Sequence, residues 1–569
     1  MSTGYPSIDK PWLKYYSQEA INAQLPECTM YEYILDCNRD NMSRIAMNYY
    51  GTNITYGEMF QQIDRMAGAL EASGVQVGEV VTVCMVNAPE TAFLLFALNK
   101  IGAVANMVYG ADTPEELQKY LLDANSTLVF TLDMFQEKFV AIADSAKLKK
   151  VVVTNITESM SPLTRAGARL LKGMKPLPLP EDARFHDWKQ FFKNAPETSR
   201  TYHDGDAPAV ITYTGGTTGG SKGVILSNIA TICTSWHLVQ REPDLSRDNT
   251  WLQALPLFIA YGVTCSLLIP LALGLTQTIR IPMQESISEM FKKFKPNLVI
   301  HGPAYWEKFA DDNNSFDLSN FIFPTTGGDI LRLPVEEKIN SYLKSHGCPH
   351  PLINGYGMTE AGAGVAFSFP AAHRVGSVGV PFAKNVIAAF DTDSNTELPY
   401  GMEGEICVCS PSLMKGYVNA PEETEHVISR HEDGRLWLHT GDLGYVDEDG
   451  FVFISGRLKR FFAYADNGIH KKIFSLDIEK VLLRHPAVEN CAVVPIPDRK
   501  TLEAPVAYVI LKGNAADSQA EVQAYGAEHL SGGYRPVKYY FVDKFPLTKI
   551  GKVDYRALEA QAAQMQEEN

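Results

Sequence analysis

The stretch Tyr213–Val224, with the sequence YTGGTTGGSKGV, organises the rest of this chain. It follows an apolar run, Ala207–Thr212, that is typical of a buried strand. Glycines let backbone N–H groups close around an anion, hydroxyls donate to its oxygens, and Lys222 adds a positive charge. The order Ser221-Lys222-Gly223 differs from the Gly-Lys-Ser/Thr order of a Walker A loop. A strand that leads into this loop therefore predicts a polyphosphate site of another kind.

Length and composition narrow the class of protein. A chain of 569 residues predicts two or more domains, since a single hydrophobic core stops growing well below that size. The net charge of −15 argues against nucleic acid as a partner, because phosphate binding requires a basic surface. The nine cysteines are scattered and contain no CxxC pair, so we expect reduced thiols and a cytoplasmic location. The N-terminus shows no secretory signal, and the longest apolar run, Val263–Leu275, is too short to span a membrane.

Short apolar runs alternate with helical patterns along the first half of the chain. The runs Val80–Met85, Leu128–Thr131 and Val151–Thr154 predict buried strands, and Pro89–Ile101 predicts a helix between the first two. Strand and helix at this rhythm predict an α/β fold with a largely parallel sheet. Further along, the pattern predicts a strand over Trp251–Phe258.

Three apolar runs in the middle of the chain end in Gly-rich polar segments. They are Leu298–Pro303, Phe323–Asp329 and Leu352–Glu360. In open α/β sheets ligands lie beyond the carboxyl ends of the strands. These three ends therefore predict one converging pocket.

The pattern of apolar runs changes in the last third of the sequence. Gly-punctuated runs typical of β-structure begin at Glu397, and the basic break Gly456–Arg460 precedes a small α+β unit of about a hundred residues. We place the domain boundary at Lys459. The fold class is thus α/β, with a large N-terminal α/β domain of several subdomains over 1–458 and a small α+β domain over 459–569.

The segment Pro162–Lys175 is locally basic. Arg165, Arg169 and Lys172 would share one face of a helix, and apolar residues would lie near another. Such a pattern fits peripheral contact with a membrane surface or a portal for an amphipathic substrate. A solvated surface helix is the commoner explanation.

Five motifs occur along the chain in a fixed order. They are YTGGTTGGSKGV, NGYGMTE (354–360), WLHTGDLG (437–444), GRLKR (456–460) and PLTKIGK (546–552). In order and spacing they resemble the adenylate-forming superfamily over nearly the whole chain, and the chain looks like an acyl-CoA synthetase. The resemblance implies a two-step reaction. A carboxylic acid and ATP give an acyl-adenylate and pyrophosphate, and the thiol of coenzyme A then takes the acyl group.

The resemblance implies that the first motifs hold the phosphates. Lys222 and the loop before it match residues that bind the β- and γ-phosphates. The matching loop residues are Thr214, Gly215, Gly216, Thr217, Thr218 and Gly219. Thr359 matches a hydroxyl on the α-phosphate. Glu360 matches the acid that holds Mg²⁺, a hard cation that prefers oxygen, and Thr214 is a second candidate ligand.

The remaining motifs are implied to hold the nucleoside. Asp442 matches the acid that takes both ribose hydroxyls, a bidentate task suited to a carboxylate, and Arg457 matches a contact on the ribose side. Tyr356 matches a ring that stacks on adenine. The full set matched to the adenine side is Gly328, Asp329, Gly355, Tyr356 and Gly357.

Two lysines in the last motifs are implied to serve a mobile C-terminal domain. Lys552 matches the lysine that bridges the carboxylate and the α-phosphate during adenylation. Lys459 matches the hinge about which the small domain swings between the two half-reactions. With Lys222, Thr218 and Glu360, they complete the candidate catalytic residues.

The acid is predicted to occupy an apolar, aromatic tunnel. Ile259 stands where many members of the superfamily have His, which favours an apolar tunnel or one that is gated differently. The predicted lining is Trp236, His237, Phe258, Ile259, Tyr261, Gly302, Pro303 and Met358. This lining favours a fatty, aryl or sterol-type acid over a free amino acid.

Two other functions stay open. An acyl-AMP ligase would load the phosphopantetheine of a carrier protein, and the segment Asp466–Ser475 is longer than the loop that guides the thiol in relatives. A catalytically silent nucleotide- or acyl-binding regulator is the third reading. Retention of Glu360, Asp442 and Lys552 argues against that regulator. The sequence leaves the oligomeric state open.

Overall fold

A computed structural model gives the structure of the protein. It describes residues 2–171, 174–193, 196, 200–214, 221–241, 247–280, 287–311, 316–458, 460–466, 469–498, 500–512, 517–548 and 552–567. These residues form four β-sheets with helices between their strands. A large N-terminal α/β part precedes a smaller C-terminal α+β part, so the predicted fold class is confirmed. The boundary at Lys459 stays a prediction, and Lys459 itself lies outside the described residues.

The first large sheet has nine strands and a parallel centre. Its spatial order is Val380–Pro381, Ala363–Phe367, Ile353–Met358, Phe323–Gly327, Leu298–His301, Thr250–Gln253, Thr276–Ile279, Ile45–Tyr49 and Thr52–Thr55. The six strands from Ile353–Met358 to Ile45–Tyr49 run parallel, and the flanking strands are antiparallel. The strand predicted over Trp251–Phe258 ends at Gln253, because the chain turns at Pro256, which has no N–H for a sheet.

The second large sheet has eight strands. Its spatial order is Gly416–Tyr417, Gly223–Ser227, Pro208–Tyr213, Val104–Met107, Val80–Cys84, Leu128–Leu132, Lys150–Thr154 and Phe185–Asp187. From Pro208–Tyr213 onward the strands are parallel, as the alternation of strands and helices predicts. Gly223–Ser227 instead pairs antiparallel with Pro208–Tyr213, the strand that precedes it in the chain.

Two five-stranded sheets complete the set. The first orders Val386–Phe390, Gly404–Cys409, Leu436–Val446 and Ile428–Arg430, with Val452–Arg457 also on Leu436–Val446. The C-terminal sheet orders Ile469–Phe474, Phe461–Asp466, Leu502–Leu511 and Val488–Asp498, with Lys538–Phe541 also on Leu502–Leu511. The two parts touch where Arg332 donates to Asn490 Oδ1 at 2.5 Å.

The helices connect these strands. The α-helices are Pro6–Asp9, Gln18–Asn22, Met30–Cys37, Tyr56–Ala72, Pro89–Lys100, Pro114–Asp123, Gln136–Ile142, Pro162–Leu171, Trp188–Phe192, Asn228–Arg241, Ile269–Ala272, Ile287–Phe294, Pro303–Asp311, Leu333–Ser345, Pro421–Val427, Ser475–Leu482, Asp517–His529 and Tyr555–Glu567. Short 3₁₀ turns are Pro11–Tyr15, Asp133–Phe135, Thr359–Ala361 and Gly532–Tyr534. None of the helices in the described ranges has the length and apolar character needed to cross a bilayer.

One helix, Pro89–Lys100, joins the two large sheets. All 12 of its residues are buried, because it is apolar around most of its circumference. Its side chains share a core with Met47 and Ile279 of the nine-stranded sheet and with Val81 and Phe130 of the eight-stranded sheet. The relative position of the two sheets is therefore fixed by packing.

Two charged side chains of this helix are buried with partners. Lys100 Nζ lies 2.5 Å from Asp64 Oδ1. Ser159 Oγ donates to Glu90 Oε1 at 2.5 Å. Burial raises the pKa of the Glu90 carboxyl to about 7, since desolvation disfavours the charged form.

The apolar run predicted to be a core segment contains a π-helix. Gly262–Leu268 has π-helical hydrogen bonding and is buried throughout. Its first residue must be glycine, because a Cβ at Gly262 would lie 1.8 Å from the carbonyl oxygen of Pro256. The π-helix begins directly after Tyr261 and continues into the helix Ile269–Ala272.

Candidate active site

The site forms where three neighbouring strands of the nine-stranded sheet end. Leu298–His301, Phe323–Gly327 and Ile353–Met358 are adjacent and parallel. Their carboxyl ends therefore meet at one edge, where ligands of α/β sheets bind. This edge lines a cleft of about 2690 Å³ that also receives residues of the C-terminal part.

The cleft collects the nucleotide residues that the resemblance implied and the structure describes. They are Thr214, Lys222, Gly328, Asp329, Gly355, Tyr356, Gly357, Thr359, Glu360, Asp442, Arg457 and Lys552. Another six lie outside the described residues: Gly215, Gly216, Thr217, Thr218, Gly219 and Lys459.

Two glycines at this edge have a structural need to be glycine. Gly328 has φ +85°, a backbone region that side chains rarely adopt. A Cβ at Gly357 would lie 1.6 Å from the carbonyl oxygen of Ala363 on the neighbouring strand. Gly328 thus permits the turn after its strand, and Gly357 permits the close approach of the strand that carries Ala363.

Asp442 is itself buried and has two polar partners, the half-buried Tyr356 and the more exposed Arg457. The Tyr356 hydroxyl donates to Asp442 Oδ2 at 2.6 Å, and Arg457 Nε lies 2.8 Å from Oδ1. Burial raises the pKa of the Asp442 carboxyl, and the Arg457 guanidinium opposes that shift. The same carboxylate raises the pKa of Arg457. The trio presents an oriented carboxylate to the cleft.

Glu405 supports this carboxylate and was missed from the sequence. It accepts from His439 Nδ1 at 2.9 Å and from the Gly441 backbone N–H at 2.9 Å. The Asp442 N–H in turn donates to Thr440 Oγ1 at 3.0 Å. Glu405 comes from a strand paired with the one that carries Asp442, a pairing with no short-range sequence signal.

Hydrogen bonds join the two described ends of the Gly-rich motif, Thr214 and Ser221–Lys222. The Thr214 N–H donates to the Lys222 carbonyl at 3.0 Å, and Ser221 Oγ donates to the Thr214 carbonyl at 2.6 Å. Thr214 and Lys222 therefore face each other at the mouth of the loop between them. This arrangement brings a hydroxyl and an ammonium group to the cleft wall.

Tyr417 lies between Lys222 of the Gly-rich motif and Glu360. Its hydroxyl donates to Glu360 Oε1 at 2.8 Å, and Lys222 Nζ lies 4.9 Å from the centroid of its ring. Burial raises the pKa of the Tyr417 phenol, so it stays a donor. Tyr417 was not predicted from the sequence, and it lies in the two-residue strand Gly416–Tyr417.

Lys552 reaches the cleft from the C-terminal part. Its N–H donates to Thr548 Oγ1 at 3.1 Å, and its carbonyl accepts from the Thr548 N–H at 2.7 Å. Burial lowers the pKa of the Lys552 ammonium, and Asp329, Asp442 and Glu360 act in the opposite direction. Lys552 thus brings a cation of the C-terminal part close to these three carboxylates.

The predicted acyl residues separate into two groups. Phe258, Ile259, Tyr261, Pro303 and Met358 line the cleft. Trp236, His237 and Gly302 are not among its lining residues.

The helix Asn228–Arg241 explains part of that separation. Trp236 packs in the core between the large sheets. His237 donates from Nδ1 to the Cys233 carbonyl at 2.8 Å and accepts the Lys384 N–H at Nε2 at 3.2 Å. Burial lowers the pKa of His237 to about 4, so the ring is neutral and fully engaged in the scaffold.

Other apolar and small residues complete the lining. Tyr109 stacks on Phe258, with ring centroids 4.3 Å apart. The additional lining residues include Tyr109, Thr234, Leu238, Cys265, Ile269, Ile300, Phe367 and Phe382. Thr234 and Leu238 are four residues apart on one helix, a spacing that could have identified them. Tyr109 and Phe382 lie far apart in the sequence, and no sequence pattern identified them as lining residues.

Comparison with known proteins identifies the family to which this chain belongs. A family described as AMP-binding enzyme matches residues 36–418, and its C-terminal domain family matches residues 477–552. The chain belongs to the AMP-binding enzyme family. The resemblance to the adenylate-forming superfamily is thereby confirmed.

Relatives of this AMP-binding enzyme are similar over nearly its whole length. A long-chain-fatty-acid–CoA ligase of Bacillus subtilis (strain 168) is 27% identical over 96% of this chain and 97% of its own. The 4-coumarate–CoA ligase CCL1 of Humulus lupulus is 28% identical over 90% of this chain and 89% of its own.

Solved structures share the fold of this AMP-binding enzyme. ATP-bound MatB from Rhodopseudomonas palustris superposes with a TM-score of 0.81 at 24% identity, covering 95% of this chain and all of its own. The anthranilate CoA ligase AuaEII in complex with anthranoyl-AMP gives a TM-score of 0.79 at 21% identity, covering 97% of this chain and all of its own. At these identities the likeness concerns the fold alone.

Proposed function

We propose that this enzyme is an acid–thiol ligase that converts a hydrophobic carboxylic acid, ATP and coenzyme A to an acyl-CoA, AMP and pyrophosphate. The observation that carries the proposal is the cleft itself. Lys552 of the C-terminal part enters the same cleft as the Asp442–Arg457 pair and the Glu360–Tyr417 pair. A nucleotide and an acid bound there would have a cation between them.

In the first step, a carboxylate oxygen of the acid attacks the α-phosphorus, and the bond to the β-phosphate oxygen breaks. Asp442 would hold the ribose hydroxyls, and Tyr356 would stack on adenine. Lys222, with Thr214, would hold the departing phosphates. Lys552 would neutralise the developing charge between carboxylate and α-phosphate, a type of catalysis that depends on prearranged charge.

Glu360 and Thr214 are the residues that would hold Mg²⁺. Their donors are a carboxylate and a hydroxyl, the oxygen ligands this cation prefers, and Tyr417 orients the carboxylate. Bound there, the ion would neutralise charge on the phosphates.

In the second step, the thiol sulfur of coenzyme A attacks the acyl carbon, AMP leaves, and the thiol proton goes to solvent. Lys459 would be the hinge that lets the C-terminal part change position between the steps. Such a change would explain how one pocket serves two reactions.

The lining of the acyl end supports a hydrophobic acid. Phe258, Ile259 and Tyr261 with Leu238 and Ile269 form an apolar wall. The Bacillus relative is named for long-chain fatty acids and the hop relative for 4-coumarate, both hydrophobic acids. A cytoplasmic location, suggested by nine free cysteines, belongs to the same proposal.

The deciding experiment is product mass after incubation with ATP, Mg²⁺ and a panel of fatty, aryl and sterol-type acids, with and without coenzyme A. Thioester masses that appear only with coenzyme A are expected, and they would name the acid. Acyl-adenylate and pyrophosphate without thioester would instead identify a carrier-protein ligase. Absence of both products across the panel, with ATP still bound, would favour the silent regulator.

A further inference from the structure

The helix Pro162–Leu171 is docked on the protein with its polar side inward. Arg165 Nε donates to the Thr157 carbonyl at 3.0 Å, and Nη2 donates to the Met160 carbonyl at 3.1 Å. Thr164 Oγ1 donates to the Tyr50 carbonyl at 3.4 Å, and Ala168 packs against the main core. These contacts determine which face of the helix looks outward.

The outward face is apolar. Leu163 and Leu170 are 85% and 83% exposed. They are seven residues apart and therefore lie within about 20° of each other around the helix axis. Ala166 lies beside them and is exposed as well. A surface helix normally turns its leucines inward, so this orientation leaves two large apolar side chains in water.

Two more exposed leucines follow the helix in the sequence. In the segment PLPLP (176–180), Leu177 and Leu179 are 52% and 39% exposed. The prolines lack an N–H, and the Leu177 N–H already donates to Asp133 Oδ2 at 3.0 Å. This segment can therefore approach an apolar medium with few unpaired backbone donors.

Charge distinguishes this stretch of sequence from the rest of the chain, although the Asp133 carboxylate packs against Leu177. From Ser159 to Pro180 there are four basic residues and no acidic one, whereas the whole chain has a net charge of −15. Arg169 and Lys175 are exposed beside the leucines. A leucine face flanked by cations is the pattern of helices that lie in the interface of an anionic bilayer.

We propose that Pro162–Leu171 and the PLPLP segment dock this protein on the surface of a bilayer that contains anionic lipids. The leucines would enter the acyl boundary, and Arg169 and Lys175 would remain at the headgroups. Repulsion of the acidic remainder would orient the molecule with this face toward the lipid. A second copy fits less well, because two identical basic faces would repel.

The test uses the full chain and sedimentation with vesicles of phosphatidylcholine, alone or with about 30% phosphatidylserine, at about 0.1 M salt. The wild type is expected to sediment with the phosphatidylserine vesicles. Leu163→Ser with Leu170→Ser should lower the partition coefficient at least about tenfold. Arg169→Gln with Lys175→Gln should lower it about tenfold or more, and only for the anionic vesicles.

The matched control is Val77→Ser with Met402→Ser, which removes apolar side chains 46% and 52% exposed elsewhere on the surface. It should bind like the wild type, and all variants should keep the adenylation rate and thermal midpoint. Wild-type protein that stays in the supernatant overturns the proposal, and so does a leucine variant that binds normally. A dimer that dissociates on Leu163→Ser with Leu170→Ser, without vesicle binding, would assign the surface to self-association instead.

Discussion

At the proposed nucleotide end of the cleft, side chains hold one another through hydrogen bonds, whereas at the proposed acyl end they are held by packing. Asp442 has Tyr356 and Arg457 as partners, and Glu360 has Tyr417. The acyl wall instead rests on contacts such as the stacking of Tyr109 on Phe258. A network fixes a charge at one position, while a packed wall fixes only a shape. The first end should therefore determine the chemistry, and the second the choice of acid.

The strongest test of this difference is Lys552→Ala. The variant should lose adenylation about a thousandfold, because the charge between carboxylate and α-phosphate is gone. Thioester formation from preformed acyl-adenylate should persist. Pyrophosphate release measures the first activity and thioester mass the second, with the exposed Lys538→Ala as the control. Adenylation at the wild-type rate would show that the role assigned to Lys552 is wrong.

Asp442→Asn should have the next largest effect. Replacing the carboxylate leaves Arg457 without its anion and removes a charged acceptor for the ribose hydroxyls. The value of kcat/KM for ATP should therefore fall about a hundredfold, whichever acid is the substrate. Asp393→Asn, an exposed change in a turn, should leave ATP kinetics unaltered. A loss that varied from acid to acid would contradict the separation of the two ends.

Ile259→Trp should act at the opposite end. The added volume shortens or narrows the acyl wall, so kcat/KM should fall about tenfold to thirtyfold for the bulkiest accepted acid. The KM for ATP should not change. Ile259→Leu keeps the volume and serves as the control. Equal losses for small and bulky acids would mean that Ile259 does not bound the acid.

Glu90→Gln tests whether these effects belong to the cleft rather than to the scaffold. The raised pKa of Glu90 means that, between pH 4.5 and about 7, the folded state holds a proton that the unfolded chain has lost. Wild-type stability should therefore fall as pH rises through that window.

The Glu90→Gln variant should lack that fall and be more stable at pH 8 by about 1 kcal/mol, since relaxation and water reduce the full burial cost. Thermal midpoints from pH 5 to 8 measure this effect, with the exposed Glu115→Gln as the control. A variant midpoint that fell in parallel with the wild type would show that Glu90 is ionised in the folded state. Ligase activity at pH 7 should be equal in both.

That the implied nucleotide residues converge on one cleft could be predicted, because they follow strands in short motifs. Asp329 and Glu360 each lie two residues after a strand, and parallel strands bring such ends together. Glu405 and Tyr417 could not be predicted, since they reach the site through pairing between strands distant in sequence.

The acyl end was harder to predict because packing, not sequence adjacency, defines it. One helix shows the difficulty: Trp236 and His237 are aromatic and near the motif, yet Thr234 and Leu238 line the cleft. A residue's place on a helix face depends on how the helix is docked, which composition does not reveal. The strand predicted over Trp251–Phe258 was too long for a different reason: it ends at Gln253, and Pro256 was a visible sequence signal against its later part.

The π-helix Gly262–Leu268 has a consequence for how the acyl wall tolerates insertions and deletions. Each of its i→i+5 hydrogen bonds encloses one residue more than an α-helical turn. Deleting one residue there would remove the extra residue and restore α-helical bonding, so the chain before and after it would keep the same faces. Ile259, Tyr261 and Ile269 would all stay on the wall. Deleting one residue from a regular α-helix would instead rotate its two ends by about 100° relative to each other, so this stretch is where the wall should best tolerate a shorter chain.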